Sequence, residues 1–224
     1  MSKVLFQDDE RVNHYDVNEV IDRFDIDKVF DCEILNNWLE HAEDVLKPFQ
    51  QEMLEEARGH LILKWNEWNE EELKVNFISI VLFAAQLDEP KRISTYFERR
   101  LVGKVKDKPI SVKVDCMLAT PMKSGRPKSP YFFLQEYKRS KGDSHDPEGQ
   151  MLAAMILSQA LNADDKPLYG SWVQGSNWRF TVLNGTEYCV SKTYDATDVF
   201  ELPKIVFILR NLKSLILAAE YSIL

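Results

Sequence analysis

The octapeptide Tyr131-Phe132-Phe133-Leu134-Gln135-Glu136-Tyr137-Lys138 opens on four apolar residues and closes on charge. It follows a loop carrying Pro121, Gly125, Pro127 and Pro130, and it reads as a buried strand with a polar end. Side chains two apart on a strand face the same way. Glu136 and Lys138 therefore project from one face, so that a carboxylate and an ammonium share one small site.

Upstream, residues 93–105 and 110–119 are rich in strand formers and are joined by Lys106-Asp107-Lys108-Pro109, the pattern of a β-hairpin. Asp115 falls inside the second of these strands, and pairing with the next strand would bring its carboxylate beside Glu136. Downstream, residues 147–162 read as a helix with Met151, Leu152, Met155, Ile156 and Ala160 as its apolar stripe. Strand signals return at 168–174, 178–183 and 188–193, separated by Gly175-Ser176-Asn177 and Asn184-Gly185-Thr186. A leucine-rich helix over about 198–221 closes the chain, with Pro203 tolerated near its start. Its apolar face reads first as a cover for the sheet and second as a homodimer surface.

The amino-terminal third is helical by its periodicity. Ile34, Leu35, Trp38, Leu39, Ala42, Val45 and Leu46 recur at three- and four-residue steps, Pro48 interrupts, and Phe49, Met53, Leu54 and Ala57 continue toward Gly59. Residues 1–30 read as an irregular arm with one short helix. Asn69 caps a further helix with Glu70, Glu71 and Glu72 in its first turn and Leu73, Phe77, Ile80, Val81 and Ala84 as its buried stripe. The element order implies an α/β (α+β) layer protein with a central sheet flanked by helices. A helical extension over 1–68 would pack on a core formed by 69–224.

Composition narrows the function classes. A chain of 224 residues, 45% of them apolar, buries a substantial core, and its longest apolar stretches, 77–85 and 215–219, fall short of the roughly 20 residues a membrane span needs. The start MSKVLFQDDER has no secretory pattern, so a soluble, cytoplasmic protein with no membrane partner is expected. Cys32, Cys116 and Cys189 are too far apart in sequence for a paired framework or a zinc site and read as small buried thiols. A net charge of −8 excludes a protein that coats nucleic acid through bulk charge, and leaves local basic clusters at 99–108, 123–128 and 138–141. The plain reading of each cluster taken alone is a solvated surface.

Two carboxylates, Asp115 and Glu136, form a donor set suited to a hard divalent cation, Mg²⁺ or Mn²⁺, with waters and substrate phosphate completing the shell. Such a centre hydrolyses phosphodiesters, with Lys138 orienting water or offsetting charge on the phosphate. Asp115 followed by Glu136-Tyr137-Lys138 on the next strand resembles the D…(D/E)xK signature of the PD-(D/E)XK, restriction-endonuclease-like, nuclease superfamily. Val114 stands where the family name has proline, a variable position. The pattern of Leu168-Tyr169-Gly170 and Gly175-Ser176-Asn177-Trp178-Arg179-Phe180 resembles that superfamily's later strands, particularly in amino-terminal nuclease domains of restriction-enzyme subunits. The likeness covers about residues 69–220.

The resemblance implies a Mg²⁺- or Mn²⁺-dependent DNA-cleaving enzyme with a restriction-endonuclease-like core. Asp115 and Glu136 would hold the metal, and Lys138 would act beside them. Gln150 in the following helix, and Glu70 on the inward face of the Asn69 helix, would support the site, Glu70 as a further ligand. RNA is the alternative substrate, since this chemistry is indifferent to the base and partly to the sugar. Each residue also has a plain reading: Gln150 as a first-turn polar residue, Glu70 as a capping charge, Trp65, Trp68, Trp172 and Trp178 as core packing, His145 as a surface group. A Glu-x-Lys tripeptide alone carries little weight; its placement beside Asp115 and before Gln150 gives it meaning. The alternative function is a non-catalytic binding module on the same fold.

Overall fold

The structure, a computed structural model, describes residues 15–40, 45–140 and 146–221. In chain order they form α1 (Val17–Phe24), β1 (Asp27–Val29), α2 (Glu33–Glu40), α3 (Pro48–Lys64) and α4 (Glu70–Leu73). A π-helical turn (Lys74–Ile78) leads into α5 (Ser79–Ala85), then β2 (Ser94–Val105), β3 (Lys108–Pro121), β4 (Pro127–Lys138) and α6 (Pro147–Asn162). The chain ends with β5 (Leu168–Gln174), β6 (Asn177–Asn184), β7 (Glu187–Val190), β8 (Tyr194–Asp195) and α7 (Glu201–Tyr221).

The eight strands make one mixed sheet, ordered β1-β7-β6-β5-β4-β3-β2, with β8 paired to β6. β2, β3 and β4 form an antiparallel meander. Lys106 and Asp107, both with positive φ, make the two-residue β2–β3 turn, a left-handed backbone conformation that matches the right-handed twist of the flanking strands. β4 and β5 are parallel, and α6 is the crossover that a parallel pair requires. An α+β sheet protein flanked by helices is what the order of sequence signals implies, and it is what forms.

Helices cover both faces. On one side α2, α3, α5 and α7 enclose Cys116, Leu118, Phe133, Tyr137 and Phe180. Trp38 is fully buried there, edge-on to Phe133, Tyr169 and Phe180, and its indole N–H donates to Ile208 O at 2.8 Å. On the other side α6 lies between the sheet and α1, against Met117, Leu134, Leu168 and Trp172. Asp146 links the starts of the two helices: one carboxylate oxygen caps α6 through Glu148 N–H and the other accepts from Val17 N–H at 2.7 Å.

Several elements depart from expectation. Residues 27–29 add a parallel edge strand beside β7, so the amino-terminal segment is not wholly helical. Pro48 starts α3 at its first turn, where its missing N–H costs nothing, and α3 runs through Gly59 to Lys64. α6 is buried on almost every side, with Ala153, Ala154 and Leu157 joining the expected stripe while Ala160 is exposed. The apolar face of α7 is consumed inside the chain by Leu202, Ile205, Ile208, Leu212 and Ile216, leaving Val199 and Phe200 exposed ahead of the helix. Cover for the sheet, the first reading of this helix, is therefore the role its buried residues take. No helix of the described residues is long and apolar enough to cross a membrane.

Candidate active site

The ladder between β3 and β4 ends at Cys116 opposite Gln135, so Asp115 stands one step beyond, alongside Glu136. The backbone N–H of Tyr137 donates to Asp115 Oδ2 at 2.8 Å, and this side-chain bond holds the carboxylate against β4 where the ladder stops. Lys138 Nζ donates to Glu136 Oε1 at 3.0 Å and sits 3.5 Å from Glu70 Oε2 on α4. Asp115, Glu136 and Lys138 are 6%, 3% and 6% exposed, well below what unpaired charges tolerate. Gln135 and Tyr137 occupy the opposite face of β4, where the Tyr137 hydroxyl donates to Gln135 Oε1 at 3.1 Å.

The pleat of the sheet slips at this point. Toward α6, β3 buries Ile110, Val112 and Val114 before Asp115, but Met117 and Ala119 after it. β2 makes the same change between Tyr96 and Leu101. The pairs Phe97–Cys116 and Arg99–Val114 leave Glu98 across from Asp115, and Glu98 has φ of 55°, a left-handed conformation rare for a non-glycine residue. One residue of strained backbone shifts the alternation by a step in both strands. The Glu98 carboxylate accepts from Lys113 on β3 and from Lys74 in the π-helical turn, and Lys74 also pairs with Glu71.

Burial pushes the Asp115 carboxyl up to about 6, opposed by the Tyr137 N–H and the Lys138 charge. It pushes Glu136 up to about 8, with the Asp115 charge adding to the effect and Lys138 opposing it. Lys138 is held above its ordinary value: burial works against its charge, but Glu136 and Glu70 outweigh that. Burial is thus the main cause of the raised proton affinity of both carboxyls, and the charge of Lys138 does not outweigh it.

Four of the five residues singled out from sequence, Glu70, Asp115, Glu136 and Lys138, meet in this cluster. Gln150 lies half-buried in the first turn of α6, the helix covering the face of β4 that carries Leu134 and, by alternation, Glu136 and Lys138. As a third metal ligand, Glu70 does not fit, since its carboxylate is drawn to Lys138, and no group of three or more His, Cys, Asp or Glu among the described residues could hold a metal ion. Two carboxylates remain, the protein share that Mg²⁺ commonly takes.

Glu98, Lys74 and Lys113 escape a sequence reading, because only the cross-strand register and the π-helical turn bring them to Asp115. His14, His41, His145 and Lys141 lie outside the described residues. Trp172 and Trp178 are core, and Trp65 is partly exposed at the end of α3.

No protein-family model matches the chain, and no curated protein matches it.

Proposed function

We propose that the chain is a magnesium-dependent nuclease of the restriction-endonuclease-like kind, hydrolysing phosphodiester bonds of DNA. The observation that carries this reading is the pair of buried carboxylates from adjacent strands, Asp115 and Glu136, held side by side with Lys138 next to them and their proton affinities raised. Asp115 and Glu136 are the residues that would hold Mg²⁺, hard oxygen donors of the kind it takes. When bound, the ion supplies Lewis acidity and an activated water.

The protein's own groups do the positioning. Tyr137 N–H fixes the Asp115 carboxylate, so the donor pair is preorganised by the strand itself. Lys138, charged at neutral pH, points its ammonium where negative charge develops on the phosphate oxygens, and the Glu70 ion pair sets its direction. Gln150, at the start of α6, stands ready to orient the substrate strand or water.

The test joins binding to cleavage. Calorimetric titration with Mg²⁺ and Mn²⁺ should show one site, lost in Asp115→Asn, and cleavage of duplex DNA should require the metal and fall in the same variant. A wild type that neither binds metal nor cleaves DNA or RNA would leave a non-catalytic module. Equal cleavage by wild type and Asp115→Asn would reject the site.

A further inference from the structure

Because β4 pairs with β3 only from Cys116 onward, residues 108–114 of β3 have β2 as their one strand partner among the described residues. This arm of the hairpin rests its apolar face, Leu101, Ile110 and Val112, on α6, and Leu157 packs over Gly103. Its other face presents Arg100, Lys104 and Lys113, all exposed. Arg100 is directly opposite Lys113 in the ladder, a like-charge pair that costs stability unless an anion answers it.

The lysines at the tip serve the fold: Lys106 Nζ and Lys108 Nζ donate to Phe24 O and Arg23 O at the carboxyl end of α1. Lys113 and Lys74 share Glu98. Among the described residues, Arg100 and Lys104 have no ion-pair partner. In a chain of net charge −8 this row is a local reversal of sign, running some four residues, about 13 Å, along β2. It ends at Glu98, across from Asp115.

We propose that the outer face of the β2–β3 arm is a phosphate rail. Lys104, Arg100 and Lys113 hold the sugar-phosphate backbone of a nucleic acid and lead it to Asp115 and Glu136. Glu98 is the internal counter-ion that a backbone phosphate displaces from Lys113 and Lys74. The direction of delivery rests on the nuclease reading; the binding does not.

Fluorescence anisotropy with a labelled 30-base-pair DNA duplex in EDTA, where cleavage is silent, reads the rail directly. The single strand and the matching RNA are run beside it. Arg100→Ala/Lys104→Ala should weaken binding at least tenfold and reduce the slope of log affinity against log salt by about two, close to one per lost phosphate contact. Lys47→Ala/Lys204→Ala, a double loss of positive charge at exposed lysines just before α3 and on α7, should leave binding unchanged. Glu98→Gln should bind more tightly than wild type; affinity at or below wild type overturns the counter-ion role.

The rail is overturned by equal losses in the two double variants, by no loss in the first, or by absence of binding. Mg²⁺-dependent cleavage by wild type against Asp115→Asn judges the nuclease reading separately. Binding through the rail without cleavage keeps the rail and sinks that reading. The strongest binder of the three probes identifies the nucleic acid.

Discussion

Asp115 and Glu136 are ionised only at a cost, because burial withholds water from both and the single ammonium of Lys138 cannot satisfy two carboxylates and Glu70. Both folded-state values, about 6 and about 8, lie above ordinary carboxyl values, so the folded protein binds more protons than the unfolded chain between them. The stability this confers is complete below about pH 4 and is lost as pH rises through 6 and then 8. The metal-free protein should therefore melt lower at pH 9 than at pH 5, all else being equal. Added Mg²⁺ should raise Tm more at pH 8.5 than at pH 5.5, since it replaces the protons. Glu136→Gln should flatten both trends in a thermal-melt series; a Tm indifferent to Mg²⁺ at pH 8.5 counts against a metal site. Lys138→Met should lower cleavage by about 10²–10³-fold, as loss of a charge-stabilising donor does, and should leave Glu136 holding its proton still more firmly. Glu136 and Lys138 were legible in sequence because strand alternation is local. Glu98 was not, because its place depends on a register and a left-handed φ that no local pattern encodes.

At the scale of elements, period and capping carried the reading furthest where a helix has one wet face. Asn69 does cap α4, with Glu72 closing a capping box. The regular helix expected beyond it is interrupted by the π-helical turn, which buries Phe77 and Ile78 in succession and swings Lys74 toward Glu98. α6 gave a blurred stripe because sheet and α1 bury both of its sides. Gly149 shows how tightly α1 is seated: a Cβ there would lie 2.0 Å from Tyr15 O and 2.7 Å from Val17 N, both backbone atoms that cannot yield. Gly149→Ala should cost about 3 kcal/mol by urea unfolding and strip protection from the α1 amides in hydrogen exchange. Gly170→Ala is the contrast. Its nearest neighbours are Met155 Sδ at 2.9 Å, Thr181 Cγ2 at 3.0 Å and Met151 Sδ at 3.2 Å, and the two methionines can repack, so about 1 kcal/mol or less is expected. Comparable losses in both variants would contradict this account of α1.

Across the whole molecule, the described residues before Asn69 share both buried clusters with the strands that carry the site. Leu35, Trp38, Leu54 and Leu61 belong to the same buried cluster as Phe133, Tyr137 and α7, while Val20, Phe24 and Ile26 share the other cluster with α6 and Trp172. β1 extends the sheet, and Arg210 of α7 reaches back to Gln50 of α3 at 2.9 Å. The extension read over 1–68 packs on the core over 69–224: Trp38 of α2 meets Phe133 of β4 edge-on on one face of the sheet, and on the other α1 packs on α6. Unfolding should accordingly be a single transition reported alike by tryptophan fluorescence and far-ultraviolet circular dichroism. Trp38→Ala removes a fully buried ring and its bond to Ile208 O, and should lower the stability of the entire chain by about 3–5 kcal/mol without splitting that transition. A chain beginning at Asn69 should lack cooperative unfolding, because the surface of α7 and β6 that Trp38 covers would face water. Two resolved transitions in the intact protein, or a cooperatively folded 69–224 fragment, would make the extension a separate unit and free the site from dependence on it.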